Sequence, residues 1–227
     1  NQTITVNEKN SEFIDDKKEE SKQIFSKIND FIEYAHKENV FDDFNTEILL
    51  PYKQSTLGPF ISTGDLNNDG KEDIFIGGAH RQEAKIFLSN DNELIEKSNE
   101  SFEIDSKNED MESIFIDIDN DNDLDLYVVS GGNEFNNRSI ELADRIYLND
   151  GKGNFKRDKQ EDLQNYTISG KTVTEIDYDN DGDSDIIIGN RIQTKKYPIH
   201  EPSIIYENIS GKFYNNTYNI APEFENF

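Results

Sequence analysis

One pattern occurs three times in this chain, and its spacing constrains the fold more than any other feature. The copies are Phe60–Gly78, Ile114–Gly132 and Val173–Gly189. Each sets a nine-residue acidic loop (Asp65–Asp73, Asp117–Asp125 and Asp177–Asp185) between two runs of β-branched and aromatic residues. The first aspartates lie 52 and 60 residues apart. Repeats with a period of about 40 to 60 residues belong to propeller blades and other arrays, in which each unit buries its apolar face only against its neighbours.

The rest of each period reads as a hairpin. Lys85–Ser89 and Glu93–Glu96 flank a turn at Asn90–Asn92. Arg145–Asn149 and Asn154–Lys156 flank Asp150–Gly153, and Ser203–Glu207 and Lys212–Tyr214 flank Ser210–Gly211. Two β-rich runs about a Gly/Asn/Asp turn are a hairpin signature. Each period then holds four short antiparallel strands, which describes a propeller blade. The expected fold is all-β, with about three four-stranded blades. Residues 59–110 form the blade with the first loop, 111–170 the second, and 171–227 the third with the start of a further connection. Before them, 1–8 reads as the closing strand of a preceding domain and 9–58 as a lead-in. Within 20–36 the apolar spacing fits a helix, yet Phe31–His36 also suits a strand; both readings stand.

The loops carry a donor pattern for a metal ion. In the first, positions 1, 3, 5, 7 and 9 are Asp65, Asn67, Asp69, the Lys71 carbonyl and Asp73. The second supplies Asp117, Asp119, Asp121, Asp123 and Asp125, and the third Asp177, Asp179, Asp181, Asp183 and Asp185. Ca²⁺ takes six to eight hard oxygen ligands, and alternate positions converge on an ion if the chain wraps it. The wrap is sharpest at position 6, where Gly70 and Gly182 tolerate a positive φ and Asn122 is the next most tolerant choice. An EF-hand begins in the same way but needs a bidentate Glu at position 12 and flanking helices. Position 12 here is Ile76, Val128 or Ile188, each inside an apolar run, which excludes that reading. Mg²⁺ fits less well, because it keeps its waters and demands octahedral geometry. A single copy can be an Asx-type turn that binds nothing; three copies in one context count against that.

Charge placement agrees. The chain has 23 basic and 48 acidic residues, a net charge of −25, and the three loops hold 14 of the acids. Three Ca²⁺ ions would bring the net charge to −19. Such acidity disfavours nucleic acid and anionic membrane surfaces. No apolar run reaches the 18 or so residues of a membrane-spanning helix. With no cysteine, disulfides, thiolate zinc sites and a Cys nucleophile are excluded. The chain starts at Asn1 without a Met or a signal peptide, so it is expected to be a mature product or an internal piece of something longer.

The Asp loops, the Ile74–Gly78 type of strand end and Arg145–Phe155 resemble FG-GAP/VCBS repeats, which build calcium-binding β-propellers. His36–Asn39, Asp42–Phe44, Leu49–Pro51, Gly58–Pro59 and Val128–Phe135 are similar to Bacteroidetes VCBS-repeat proteins with an ASPIC/UnbV domain. The resemblance implies three Ca²⁺ sites and a fragment of a larger, seven-bladed propeller. It also implies an extracellular or outer-membrane surface location, with lipid anchoring through a segment outside this chain. Asn67 and Asn122 depart from the family's commoner Asp and Gly.

Nothing resembles a catalytic motif. His36, His80 and His200 are far apart, and none sits in a nucleophile motif. The expectation is therefore no enzyme, no catalytic residue and no cofactor beyond calcium. The expected function is a calcium-stabilised module for ligand binding or adhesion, its partners a protein or glycan and the rest of its own chain. A scaffold component of a SusC/SusD-like uptake assembly is the alternative, and a glycan-active enzyme stands behind both. A partner site is expected in the long connections Gly131–Asp144 and Asn190–Pro202, with Asn133, Glu134, Phe135, Asn136, Arg191 and Tyr197 as contacts.

Overall fold

A computed structural model describes residues 32–91 and 93–226. The expected closing strand at 1–8 and residues 9–31 of the lead-in lie outside the described residues. Of the segment 20–36, residues 32–36 are described and carry no regular structure.

The described chain is all-β apart from short helices, with three antiparallel sheets of four strands, each a simple meander. The first holds β1 (Ile61–Gly64), β2 (Asp73–Ile76), β3 (Lys85–Asn90) and β4 (Glu93–Lys97). The second holds β5 (Asp110–Ile116), β6 (Asp125–Ser130), β7 (Arg145–Leu148) and β8 (Lys156–Asp158), and the third β9 (Gly170–Ile176), β10 (Asp185–Asn190), β11 (Ile204–Ile209) and β12 (Lys212–Asn215). Every Asp loop joins the first and second strand of its sheet, with the register closing on Gly64↔Asp73, Ile116↔Asp125 and Ile176↔Asp185. Strand β8 begins two residues later than the sequence suggests, because Asn154 folds back onto Asp150 with its amide 2.8 Å from Oδ2.

The sheets stack through two cores. Strand β6 feeds both: Leu126 and Val128 pack with Phe75, Ile86, Phe102 and Tyr147 on one side. Tyr127 and Val129 pack with Ile186, Ile188, Tyr206 and Phe213 on the other. Successive residues of a strand point to opposite faces, so a strand between two cores reads as an unbroken apolar run. Burying each Phe or Leu stabilises by about 1.5–3 kcal/mol, and the rings add edge-on contacts such as Phe102 to Tyr147, at 4.9 Å and 82°. Neighbouring sheets also bond along their first strands. Ser62 on β1 donates to the Ser113 carbonyl on β5 at 2.8 Å, and the Val173 amide on β9 donates to Glu112 at 2.9 Å.

Each fourth strand runs into a short helix that the sequence reading did not foresee. These are α2 (Glu100–Asp105), α3 (Glu161–Asn165) and α4 (Thr217–Ile220), preceded in the chain by α1 (Asp43–Thr46). Asn99 caps α2 by accepting the Ser101 amide, and Phe102 and Leu163 drop into the two cores.

Candidate metal centres

The Asp loops are curled by their own carboxylates. In the first, Asp65 accepts the amides of Asp69 and Gly70 at 3.0 and 2.7 Å, Asn67 accepts Asp69, and Asp69 accepts Lys71. The second repeats this with Asp117 to Asp121 and Asn122, and Asp121 to Asp123. The third has Asp179 to Asp181 and Asp181 to Asp183. Two residues per loop take a positive φ. One is the expected position 6 (Gly70 82°, Asn122 69°, Gly182 95°), and the other is position 4, where Asn68, Asn120 and Asn180 lie at 60–63°. Asparagine occupies position 4 in all three loops, a signal present in the sequence and missed there.

Position 9 is buried in all three loops. One oxygen of Asp73, Asp125 and Asp185 accepts the amide of position 2, at Leu66, Ile118 and Tyr178. The other accepts the amide of Ser89, Asn149 or Asn208, after β7 in the second sheet and within the third strand of the others. This carboxylate therefore locks the loop to the outer hairpin, whatever else it binds.

An asparagine clasp then joins neighbouring sheets. The Asn149 amide donates to the Leu66 carbonyl in the preceding sheet's loop at 2.9 Å, and Asn208 does the same to Ile118 at 2.9 Å. Asn120 also reaches Asp183 at 2.7 Å, linking the second loop to the third.

The donor chemistry suits a hard divalent cation. Carboxylate oxygens of Asp117, Asp119 and Asp121 lie within 4.8 Å of one another, as do those of Asp177, Asp179 and Asp185. No such acidic triad forms around Asp65, Asp69 and Asp73 among the described residues, where Asn67 and a carbonyl take two positions. The Lys71 ammonium instead lies 2.8 Å from Asp91 and 3.9 Å from Asp69. Asp123 is buried with Oδ1 lacking a donor. Burial, then Asp121 and Asp119, push it up to about 6. Burial pushes Asp125 up to about 7 against its two amide bonds, and Asp119, Asp73 and Asp185 are raised for the same first cause. Carboxylates held together without a cation favour protons.

The opposite end of the sheets carries the long connections. Asn133 and Phe135, expected to contact a partner, are turned inward instead. The Asn133 amide donates to Asp43 at 2.9 Å and Glu47 at 2.7 Å, and Phe135 packs edge-on against His80 at 5.0 Å. Arg191 stacks on Tyr52, 5.3 Å from its ring centre. A cavity of about 290 Å³ lies beside α2, where Ile140 and Ala143 of the Gly131–Asp144 connection meet Asp105, Lys107, Arg157 and Lys159. Arg157 holds Asp105 at 2.8 Å, and its Nε has no acceptor.

Two overlapping stretches, 65–128 and 117–188, match the family model described as FG-GAP-like repeat, and together they run across more than half of the chain. No curated protein matches the chain. Among solved structures, it is similar to one described as the structural basis of specific recognition of non-reducing terminal N-acetylglucosamine by an Agrocybe aegerita lectin. The two share 19% identity with a TM-score of 0.43, over 68% of this chain and 36% of that one. The chain thus spans little more than a third of that protein's length. Three Asp loops in register with three four-stranded sheets, and a family match running from one loop through the next, place this chain in the FG-GAP-like repeat family.

Proposed function

We propose that this chain is a calcium-stabilised ligand-binding module of a β-propeller exposed outside the cell, with no catalytic role of its own. The observation that carries the reading is the second Asp loop. It gathers Asp117, Asp119 and Asp121 beside the buried, donorless Asp123 oxygen, which is costly unless a cation sits there. Residues at positions 1, 3, 5, 7 and 9 of each loop would hold the ion, and the ninth carboxylate also ties the shell to the hairpin. The ion would neutralise the loop and fix its curl. Extracellular calcium modules bind at roughly 10⁻⁴–10⁻³ M, which suits the world outside the cell.

Ligand binding is the role assigned to the opposite end, at the 290 Å³ cavity. Its Lys107, Arg157 and Lys159 put three cations around one opening of a strongly acidic chain, an arrangement fit for a small polar ligand, glycan or peptide, bearing an anionic group. A scaffold role in a surface assembly is the second reading. Specific binding on a glycan array favours the first, and a clean negative favours the second.

Calcium dependence is tested by thermal melts in calcium and in chelator. At ten times the dissociation constant each site adds about 1.4 kcal/mol, so three filled sites add about 4 kcal/mol and raise the midpoint by several degrees. An unchanged midpoint sinks the proposal.

A further inference from the structure

The end of the sheets away from the Asp loops holds a second concentration of acid. Seven of the eight buried side-chain atoms without a partner among the described residues belong there, on Glu38, Asn39, Glu109, Glu134, Arg157, Thr194 and Glu201. Glu109, one residue before β5, is 2% exposed, and its Oε2 has no donor. It points at Glu134 of the β6–β7 connection. A methyl group on Gly132 would lie 2.9 Å from Glu109 Oε2 and 2.6 Å from Glu134 Oε2, so the two oxygens converge on one spot of backbone. Glu134 Oε2 accepts the Asn133 amide at 2.8 Å, while its Oε1 is buried without a donor. The lead-in brings Glu38 to the same end, held where Tyr34 donates to the Gly77 carbonyl and the Lys37 amide donates to Gln82 at 2.8 Å.

Charges around Glu109 do not relieve it. Its neighbours Glu134, Glu38 and Asp110 are all carboxyl groups, and Asp110 is already paired with the buried Arg145. Lys171 senses Glu109, but its ammonium lies 4.2 Å over the Phe60 ring. Burial first, then Glu134, push Glu109 up to about 10. Two carboxylates pressed together out of water cost several kcal/mol per ion unless something positive joins them. One shared proton would satisfy one oxygen and leave the Glu134, Glu38 and Asn39 oxygens still wanting. Each of these is an acceptor only, and a divalent cation satisfies several such oxygens at once.

We propose that Glu109 and Glu134 bind a hard divalent cation at the end of the sheets opposite the Asp loops. The ion joins two separate pieces of chain, the β4–β5 link and the β6–β7 connection, and water completes its shell. It is a site beyond the three Asp loops, built from residues 25 positions apart, with no loop motif to announce it.

Calcium bound per chain is counted by equilibrium dialysis for the full chain and for the Glu109→Gln/Glu134→Gln variant. The expected result is one ion fewer in the variant. An unchanged count together with a higher metal-free melting midpoint overturns the proposal and leaves a shared proton. Should the double variant fail to fold, the part-buried Glu134→Gln alone is expected to weaken one site at least tenfold, and unchanged affinities overturn the proposal. Asp181→Ala removes an Asp-loop site and leaves this one. Ions lost with Asp181→Ala and none lost with Glu109→Gln/Glu134→Gln therefore defeat this site while the loops stand.

Discussion

The second and third Asp loops have almost the same sequence and opposite surroundings. Asp117–Asp125 is covered by the next sheet: the Ser210–Gly211 turn packs on Asp119, and Asn208 clasps the Ile118 carbonyl. Ile118 is fully buried. In Asp177–Asp185 the corresponding Tyr178 is only part-buried, and Ile176 and Asp177 are exposed. Asp119 and Asp123 are raised in the covered loop, with burial the first cause. A motif thus sets which oxygens converge, and the neighbouring sheet sets how badly they need a cation.

The largest test of that difference is at position 9. Asp125→Ala strands the buried Ile118 amide and the part-buried Asn149 amide, and each such loss costs about 1–3 kcal/mol. A loss of about 3–4 kcal/mol is expected in urea unfolding with calcium present. Asp185→Ala strands the buried Asn208 amide and the part-buried Tyr178 amide and should cost about 2 kcal/mol, because the next sheet seals Ile118 whereas water can reach Tyr178. Equal losses would break the comparison.

The pH dependence comes next. Asp123 and Asp125 titrate near 6 and 7 when folded, and near 3.9 when unfolded. The folded chain therefore keeps protons that the unfolded chain releases. Their contribution to stability is full below about pH 4 and is lost as pH rises through 6 to 7. Metal-free melts should show Asp123→Asn flattening this fall more than Asp183→Asn does, and saturating calcium should flatten it for the parent chain. A steeper fall in Asp123→Asn refutes the assignment.

The smallest effect is at position 6 of the covered loop. Asn122 sits at a φ of 69°, so Asn122→Gly should raise the melting midpoint by the equivalent of a few tenths of a kcal/mol. A lower midpoint would mean that the Asn side chain contributes more than its backbone strain costs.

Much of this was legible along the chain. The four-strand period, the Asp loops and the position 6 turns follow from local pattern, because their residues are neighbours in sequence. What was not legible depends on residues brought together by stacking. Asn149 reads only as the last residue of a hairpin strand, yet its amide serves Leu66, 83 residues away. Asn133 reads as an exposed loop residue, and becomes a buried donor only because α1 supplies Asp43 and Glu47. The Asn99 cap of α2 was local and could have been found, but its strand-like neighbours masked it.

On the proposed calcium reading, the asparagine clasps couple one Asp loop to the next. Each one ties the outer hairpin of one sheet to the Asp loop of the sheet before it, and the same hairpin is tied to its own loop by position 9. Ordering one loop therefore steadies the cover of its neighbour, and the reverse must hold to the same degree. The loops then behave as coupled sites along a line, like the units of a repeat protein, with nearest-neighbour terms between them. A calcium isotherm should be steeper than independent Asp-loop sites allow, with the steepness lost when Asn208 is removed.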